Sequence, residues 1–224
     1  MPDKKHIIIY SHGFGVRKDD LGLLTDIAEA LSGVESVLFD YYEVNEIENT
    51  ITICPISAQI ERLNEIVSEV RQSNPEAIID LIGHSQGTII VALAKPEGIR
   101  KAIFISTIFD MGLERTLERY KLKLDVEINL DGISKIPSST GLTKIIPAQY
   151  WQERIAVKPF AEYNAFAKKV DTAIINANQD QLLPKVDLKE LSPKIKVLQL
   201  DGNHNFDGED RRRLIEVVKE EIKL

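Results

Sequence analysis

Six short runs of apolar, largely β-branched residues recur along the chain, separated by longer segments with helical periodicity. These runs predict strands at residues 6–10, 36–40, 77–82, 101–106, 171–177 and 195–200. Strands that are apolar on both faces need cover on both sides, and a helix between successive strands brings them parallel. The pattern therefore predicts an α/β fold with a parallel six-stranded sheet, helices on both faces, and residues 77–82 as a central strand.

The segments between the strands have the spacing of amphipathic helices. Helices are predicted at residues 21–31, 57–73, 86–94 and 211–222. Asp19 and Asp20 precede the first helix and are expected to cap it and charge its first turn, and Gly33 is expected to end it. Residues 43–53 form an acidic connection between strand and helix.

Residues 107–165 interrupt the alternation between the fourth and fifth strands, and a structureless loop of that length is uncommon. Leu122, Leu124, Val126, Ile128 and Leu130 alternate with polar residues, which predicts a strand. Residues 133–137 and 142–146 flank a hairpin-like turn at 138–141, and residues 148–155 and 159–169 have a helical pattern. We therefore expect a core of residues 1–106 and 166–224 with an inserted cap, 107–165, folded over the carboxyl edge of the sheet.

Composition excludes several classes of protein. With 28 basic and 35 acidic residues the net charge is −7, so the chain lacks the positive field that binds nucleic acid. The single cysteine, Cys54, cannot form an internal disulfide, and no apolar stretch is long enough for a transmembrane helix. No His-x-x-x-His spacing or Cys/His cluster indicates a metal site, and we expect no cofactor. The default expectation is a soluble cytoplasmic protein.

The most informative motif lies between the third strand and the helix that follows it. It reads Gly83-His84-Ser85-Gln86-Gly87. A serine between two glycines at a strand-to-helix turn is typical of a nucleophile elbow, because the strained turn tolerates only small neighbours. Ser85 is therefore the candidate nucleophile.

A serine nucleophile needs a histidine base, and the chain has four histidines. His204 lies just past the last strand, where loops at the carboxyl ends of parallel strands form the ligand crevice, so it is the candidate base. His6, at the start of a strand, is expected to be structural. His12 is expected to shape its loop, and the His84 side chain to point away from the serine.

The base in turn needs an orienting carboxylate. Asp180 follows the fifth strand and is the preferred candidate, and the order Ser85, Asp180, His204 is the one expected for this arrangement. Asp110, after the fourth strand, is the competitor. Asp201 and Asp207 are close to His204 only in sequence.

Acyl transfer also requires donors for the oxyanion. The backbone N–H of Gln86 follows the nucleophile at the start of a helix. The second donor is expected from the glycine-containing loop after the first strand, as the N–H of Phe14. That loop does not match a dinucleotide-binding Gly-x-Gly-x-x-Gly, because position 18 is Lys18.

On these residues the chain resembles the α/β-hydrolase superfamily. The resemblance rests on His12-Gly13-Phe14-Gly15, the elbow, the Asp180 segment and Asn203-His204. It implies a catalytic triad, an acyl-enzyme route and a cap after the fourth strand. The elbow glutamine and the His-Gly-Phe loop are similar to small esterases of the feruloyl or acyl-ester type. The chain starts at the His-Gly strand, so the family's first two strands are absent and a reduced six-stranded version is expected.

The substrate pocket is less constrained by the sequence than the reacting groups. Tyr150, Trp151 and Phe160 in the cap are candidates to line an acyl or alcohol pocket or to fill the cap's own core, and Arg17 and Lys18 could meet an acidic group. The leading hypothesis is a serine hydrolase of carboxylic or thioester bonds in a small acyl substrate. The alternatives are a non-catalytic binding or signalling protein on the same scaffold, a peptidase, or a cofactor-free lyase or perhydrolase. The oligomeric state stays open.

Overall fold

The computed structural model describes residues 4–121, 123, 125–138 and 140–223, and the elements below lie within these residues. The strands are β1 (His6–Ser11), β2 (Glu35–Leu38), β3 (Glu43–Asn45), β4 (Thr50–Thr52), β5 (Ile78–His84), β6 (Ile99–Ile105), β7 (Ile133–Pro137), β8 (Thr143–Pro147), β9 (Asp171–Ala177) and β10 (Lys196–Leu200). The α-helices are α1 (Leu23–Ala30), α2 (Ile56–Ser73), α3 (Gln86–Ala94), α4 (Glu114–Tyr120), α5 (Ala148–Ala156), α6 (Pro159–Phe166) and α7 (Glu209–Ile222).

A parallel six-stranded sheet forms the centre of the molecule. Its strand order is β10-β9-β6-β5-β1-β2. Strand β5 lies between β1 and β6, with Leu81 opposite Ile9 on one side and Ala102 on the other. The predicted sheet and its central strand are therefore confirmed. Because the strands are parallel, their carboxyl ends and the loops that follow lie at one edge.

Each face of the sheet packs against helices. Along β1, Ile7 and Ile9 belong to one hydrophobic cluster, while Ile8 and Tyr10 belong to another, because alternate side chains point to opposite faces. Helices α2, α3 and α6 cover the first face, and α1 and α7 cover the second. Burying one large aliphatic side chain contributes roughly 1.5–3 kcal/mol, so these two layers hold the edge loops in place. None of the described helices combines the length and apolar character needed to cross a membrane.

The start of α1 differs from the expectation. The helix begins at Leu23 with Gly22 at its N-cap, and no side chain caps it. Asp20 and Leu21 both have positive φ, at 50° and 57°, so the chain turns sharply before the helix. The prediction that Asp20 caps α1 is wrong, because its carboxylate is turned inward to a buried histidine and a backbone amide.

A second, smaller sheet has the order β3-β4-β8-β7. Strands β7 and β8 form the predicted antiparallel hairpin, and β4 pairs in parallel with β8, placing Ile51 opposite Lys144. Strands β3 and β4 come from residues assigned to an acidic connection. The small sheet therefore joins residues from both sides of the predicted core–cap boundary.

The strand predicted across residues 122–130 does not form in the described part of that run. Leu122 and Leu124 lie outside the described residues, and from 125 to 130 a single bridge pairs Glu127 with Lys135. Beyond it, the Asn129 N–H donates to Ser134 Oγ, and Ser134 Oγ donates to the Asn129 carbonyl. These side-chain bonds replace ladder pairing, which explains why alternation of apolar residues did not produce a strand.

Candidate active site

Ser85 occupies a strained turn between β5 and α3. Its φ and ψ are 51° and −121°, a conformation that costs of order 1–3 kcal/mol for a residue with a side chain. A Cβ on Gly87 would lie 2.0 Å from the Ser11 carbonyl oxygen, and a Cβ on Gly83 would lie 3.0 Å from the Thr88 backbone. Both glycines are therefore needed for the close approach that projects Ser85 from the sheet edge.

The structure brings Ser85, His204 and Asp180 into one hydrogen-bonded chain. His204 Nε2 lies 3.0 Å from Ser85 Oγ, and His204 Nδ1 lies 2.7 Å from Asp180 Oδ2. The other carboxylate oxygen of Asp180 accepts the N–H groups of Leu182 and Leu183, at 2.7 and 2.9 Å. Because an ionised carboxylate only accepts, Nδ1 donates to Asp180 and leaves Nε2 to accept from the serine hydroxyl.

The environment keeps this histidine neutral and this carboxylate ionised. Burial lowers the pKa of His204, and the positive charge of nearby His84 adds to that effect against the opposing bond from Asp180. Burial alone would raise the pKa of Asp180, but the bond and charge of His204 and the two backbone amides lower it overall. A neutral imidazole beside a hydroxyl can accept a proton from it.

Asp110, the competing acid, is placed differently. Its side chain is exposed and accepts the N–H of Gly112 at 2.8 Å. It borders the same cavity as Ser85 but forms no hydrogen bond with His204. Asp201 instead accepts from Asn178, and Asp207 from Asn203.

The other histidines have structural partners. His6 Nε2 bonds Asp80 Oδ2 at 2.7 Å in the sheet. His12 Nδ1 donates to the Gly13 carbonyl while its Nε2 accepts the Tyr41 N–H, both at 3.0 Å. His84 Nδ1 lies 2.8 Å from Asp20 Oδ2, and its Nε2 lies 3.1 Å from the His204 carbonyl oxygen. Ser106 Oγ donates to that same carbonyl at 2.7 Å, which fixes the His204 loop.

The loop after β1 lies beside the elbow. A Cβ on Gly13 would be 3.3 Å from Ser85 Cβ, and the Gly13 N–H donates to Asp20 Oδ2 at 2.7 Å. Phe14 follows Gly13 and borders the same cavity as Ser85. Gln86 is the first residue of α3, so its N–H is one of the amides that a helix leaves without an internal partner.

A cavity of about 270 Å³ lies over Ser85 and His204. Apolar side chains from both parts of the chain form much of its wall: Phe14, Ile108, Ile136, Trp151, Leu182 and Leu183. Four cationic side chains also line it: Arg115, Arg119, Lys144 and Arg154.

Comparison with known proteins identifies the fold. Over 99% of the chain, the structure superposes on Est1E from Butyrivibrio proteoclasticus with a TM-score of 0.69, at 18% identity and 88% coverage of that chain. The esterase domain from a Rhodothermus marinus protein gives 0.68 at 17% identity, covering 98% of this chain and 88% of that one. An alpha-beta serine hydrolase homologue from Coxiella burnetii gives 0.63 at 16% identity, covering 98% and 85%.

The chain has the α/β-hydrolase fold. The predicted fold class and family resemblance are confirmed. Residues 1–106 of the chain match the family described as "Putative serine esterase (DUF676)". No curated protein matches the chain. The family description supports ester hydrolysis in general.

The residues around the cavity differ from several expectations. Tyr150 is fully buried, does not line the cavity, and donates its hydroxyl to Gln86 Oε1 at 2.5 Å. Trp151 does border the cavity, although it is only 2% exposed, and its Nε1 donates to Ser134 Oγ at 3.0 Å. Phe160 stacks on Phe109 outside the cavity.

The cations of the cavity are not those suggested by the sequence. Arg17 pairs with Glu46, and Lys18 donates its backbone N–H to Asp40, so neither borders the cavity. Arg115 and Arg119 lie on α4, a helix that the sequence analysis missed. Their spacing of four residues places them on one helical face, but that signal is informative only once the helix is known. Among the described residues, no group of three or more His, Cys, Asp or Glu side chains is arranged to hold a metal ion.

Proposed function

We propose that the protein is a serine hydrolase that cleaves a carboxylic ester or thioester through an acyl-enzyme intermediate. The observation that carries this proposal is the hydrogen-bonded chain from Ser85 Oγ through His204 to Asp180, with distances of 3.0 and 2.7 Å. Ser85 and His204 line a cavity large enough for a small acyl substrate. The esterase family match over residues 1–106 supports the same reaction class.

Acylation follows from the hydrogen-bond directions. Ser85 Oγ attacks the acyl carbonyl carbon while its proton passes to His204 Nε2. Asp180 holds the ring orientation and stabilises the imidazolium that forms. The backbone N–H groups of Phe14 and Gln86 stabilise the oxyanion, and removing one donor of this kind typically costs about 3–4 kcal/mol of barrier. The imidazolium then protonates the leaving oxygen or sulfur, which departs as alcohol or thiol.

Deacylation repeats these steps with water. His204 Nε2 takes a proton from a water molecule, whose oxygen attacks the acyl carbonyl. When the second tetrahedral intermediate collapses, the proton returns to Ser85 Oγ and the carboxylic acid is released. The enzyme regains its starting state with no net change in its protons.

Residues 107–165 act in this proposal as a cap over a core of residues 1–106 and 166–224. Support comes from the cavity wall, because Ile108, Ile136 and Trp151 of this segment line the same cavity as Phe14 and His204 of the core. A cover of this kind excludes water and selects the acyl group.

Labelling with a fluorophosphonate tests the nucleophile. We expect covalent labelling of the wild type and none of Ser85→Ala, while Ser73→Ala, an exposed serine at the end of α2, labels normally. A panel of short and long acyl esters, thioesters and peptides then identifies the bond cleaved. The proposal is overturned if Ser85→Ala still becomes labelled and still hydrolyses esters. It is also overturned if the wild type hydrolyses peptides but neither esters nor thioesters.

A further inference from the structure

The cavity over Ser85 is cationic although the protein as a whole is acidic. The chain carries a net charge of −7, yet Arg115, Arg119, Lys144 and Arg154 line this one cavity. Two acidic residues, Asp20 and Asp110, also border it. The cavity is therefore locally positive in a protein whose net charge is negative. A locally positive cavity favours the binding of an anionic ligand.

The three arginines of the cavity donate only to neutral acceptors within the described part of the chain. Arg115 donates to the Gln181 carbonyl (3.5 Å), Arg119 to the Leu182 carbonyl (2.6 Å), and Arg154 to the Met111 carbonyl (3.1 Å) and Thr116 Oγ1 (3.3 Å). Five of the seven arginines elsewhere in the chain have carboxylate partners, namely Arg17, Arg62, Arg100, Arg211 and Arg212. The cavity arginines thus differ from most arginines outside the cavity.

The two acids of the cavity are already engaged. Asp20 is buried, lies 2.8 Å from His84 Nδ1 and accepts the Gly13 N–H. Asp110 accepts the Gly112 N–H at 2.8 Å and is exposed to solvent. Neither lies within ion-pair distance of a cavity arginine or of Lys144, so they leave the positive charge of these side chains without a partner.

Lys144 brings positive charge next to Phe14, whose N–H is the proposed oxyanion donor. Its Nζ lies over the Phe14 ring, 5.2 Å from the centroid, and its side chain packs where a Cβ on Gly15 would be. Burial lowers the pKa of Lys144, and repulsion from Arg119 and Lys123 lowers it further. An anion that binds between these like charges reduces their mutual repulsion.

We propose that Arg115, Arg119 and Lys144 bind an anionic group, a carboxylate or a phosphate, on the ester whose carbonyl reacts at Ser85. This inference rests on the proposed function and narrows its substrate class. Two guanidinium groups on one helical face match the planar, bidentate geometry that carboxylate and phosphate oxygens accept. The apolar wall, including Ile136 and Trp151, then holds the chain between the anion and the scissile bond.

Paired esters test the inference on the acyl and the alcohol side. Monomethyl adipate is compared with methyl hexanoate, and 1-butanoylglycerol 3-phosphate with 1-butanoylglycerol. We expect kcat/KM for the anionic member of at least one pair to exceed that of its neutral partner by about ten- to a hundredfold, as charge-assisted hydrogen bonds of usual strength allow. The pair that shows the preference distinguishes a carboxylate on the acyl side from a phosphate on the alcohol side.

Substitutions of the cavity cations test whether these residues cause the preference for anionic esters. Arg119→Gln and Lys144→Met should each lower the anionic-to-neutral ratio of kcat/KM, and raising the salt concentration should lower it in the wild type, because ions screen this attraction. Arg62→Gln is the matched control, since Arg62 is an exposed arginine of α2 paired with Glu65, and its ratio should equal that of the wild type. A ratio near one, or a ratio that the cavity variants leave unchanged, overturns the inference.

A binding measurement separates this inference from the proposed function. Calorimetric titration of Ser85→Ala with adipate and with hexanoate needs no turnover. Tighter binding of adipate that Arg119→Gln abolishes supports the anion site even if ester turnover fails. Equal binding of both acids, with ester turnover present, overturns the anion site and leaves the hydrolase proposal standing.

Discussion

Asp20 Oδ2 lies 2.8 Å from His84 Nδ1, and both buried side chains border the cavity over Ser85. The other ring nitrogen of His84 faces the carbonyl oxygen of His204, so both nitrogens donate and the ring is an imidazolium. Burial opposes this charge, but Asp20 raises the pKa of His84 above its usual value. The same Asp20 oxygen accepts the Gly13 N–H. One buried ion pair thus joins the loop after β1, the elbow and the His204 loop.

Replacing Asp20 with Asn should therefore affect both stability and turnover. The variant removes one partner of a buried pair, which typically costs about 3–5 kcal/mol in free energy of unfolding. It also weakens the acceptor for Gly13, so kcat should fall more than KM rises. Urea denaturation and ester kinetics measure the two effects. Asp19→Asn is the control, because the neighbouring Asp19 is exposed, and equal stability of the two variants would contradict this prediction.

The pH dependence of turnover should reflect the lowered pKa of His204. The reactive form is the neutral imidazole, so activity is present above the pKa of His204 and is lost as the pH falls through it. Because burial and the charge of His84 lower that pKa, the acidic midpoint of kcat/KM should lie below about 6.5, the usual value for histidine. The assay uses a neutral ester, which does not itself titrate. A midpoint above that value would show that the imidazole is stabilised in its charged form.

Matched substitutions of Asp180 and Asp110 test which of the two carboxylates orients His204. Asp180→Asn should lower kcat by about four orders of magnitude, the loss seen when a triad carboxylate becomes an amide and His204 takes the wrong tautomer. Asp110→Asn removes only a bond to the Gly112 N–H at an exposed position and should leave kcat within a few-fold of the wild type. Stopped assays on a short ester measure both. The opposite ranking would assign the orienting acid to Asp110.

The sheet and the candidate site residues can be predicted from the sequence because local signals specify them. Each core strand is a continuous apolar run, which is typical of a parallel sheet. Because parallel strands run in the same direction, the loops that follow them lie at the same edge of the sheet. Ser85, His204 and Asp180 are predicted as site residues because they follow three of these strands. The structure brings these three together at hydrogen-bond distances.

The missed features depend on contacts between residues far apart in the chain. Strands β3 and β4 are three residues each, too short to show a period, and β4 is completed by pairing with β8. Asp20 stands where a helix cap would, but two residues of positive φ turn it towards His84, which lies 64 positions along the chain. The cationic wall needs α4 folded against the loop after Asp180, a contact that no local pattern predicts.

Trp151 belongs both to the packed interior of residues 107–165 and to the wall of the cavity. It is 2% exposed, packs edge-on against Tyr150 at 5.2 Å between ring centroids, and donates to Ser134 Oγ at 3.0 Å. It also borders the cavity over Ser85. Because the Trp151 side chain both packs in the interior and lines the cavity, its removal should change stability and substrate preference together.

Trp151→Ala should accordingly lower the free energy of unfolding by about 3–5 kcal/mol, the usual cost of truncating a large buried aromatic side chain. The space left beside the cavity should also shift the ester panel towards longer acyl chains. Phe160→Ala is the control, because Phe160 stacks on Phe109 away from the cavity, so its loss should destabilise without changing chain-length preference. Melting temperature and the ester panel are measured in parallel on both variants. If Trp151→Ala is destabilised while its chain-length profile matches that of Phe160→Ala, Trp151 supports the fold without selecting the acyl group.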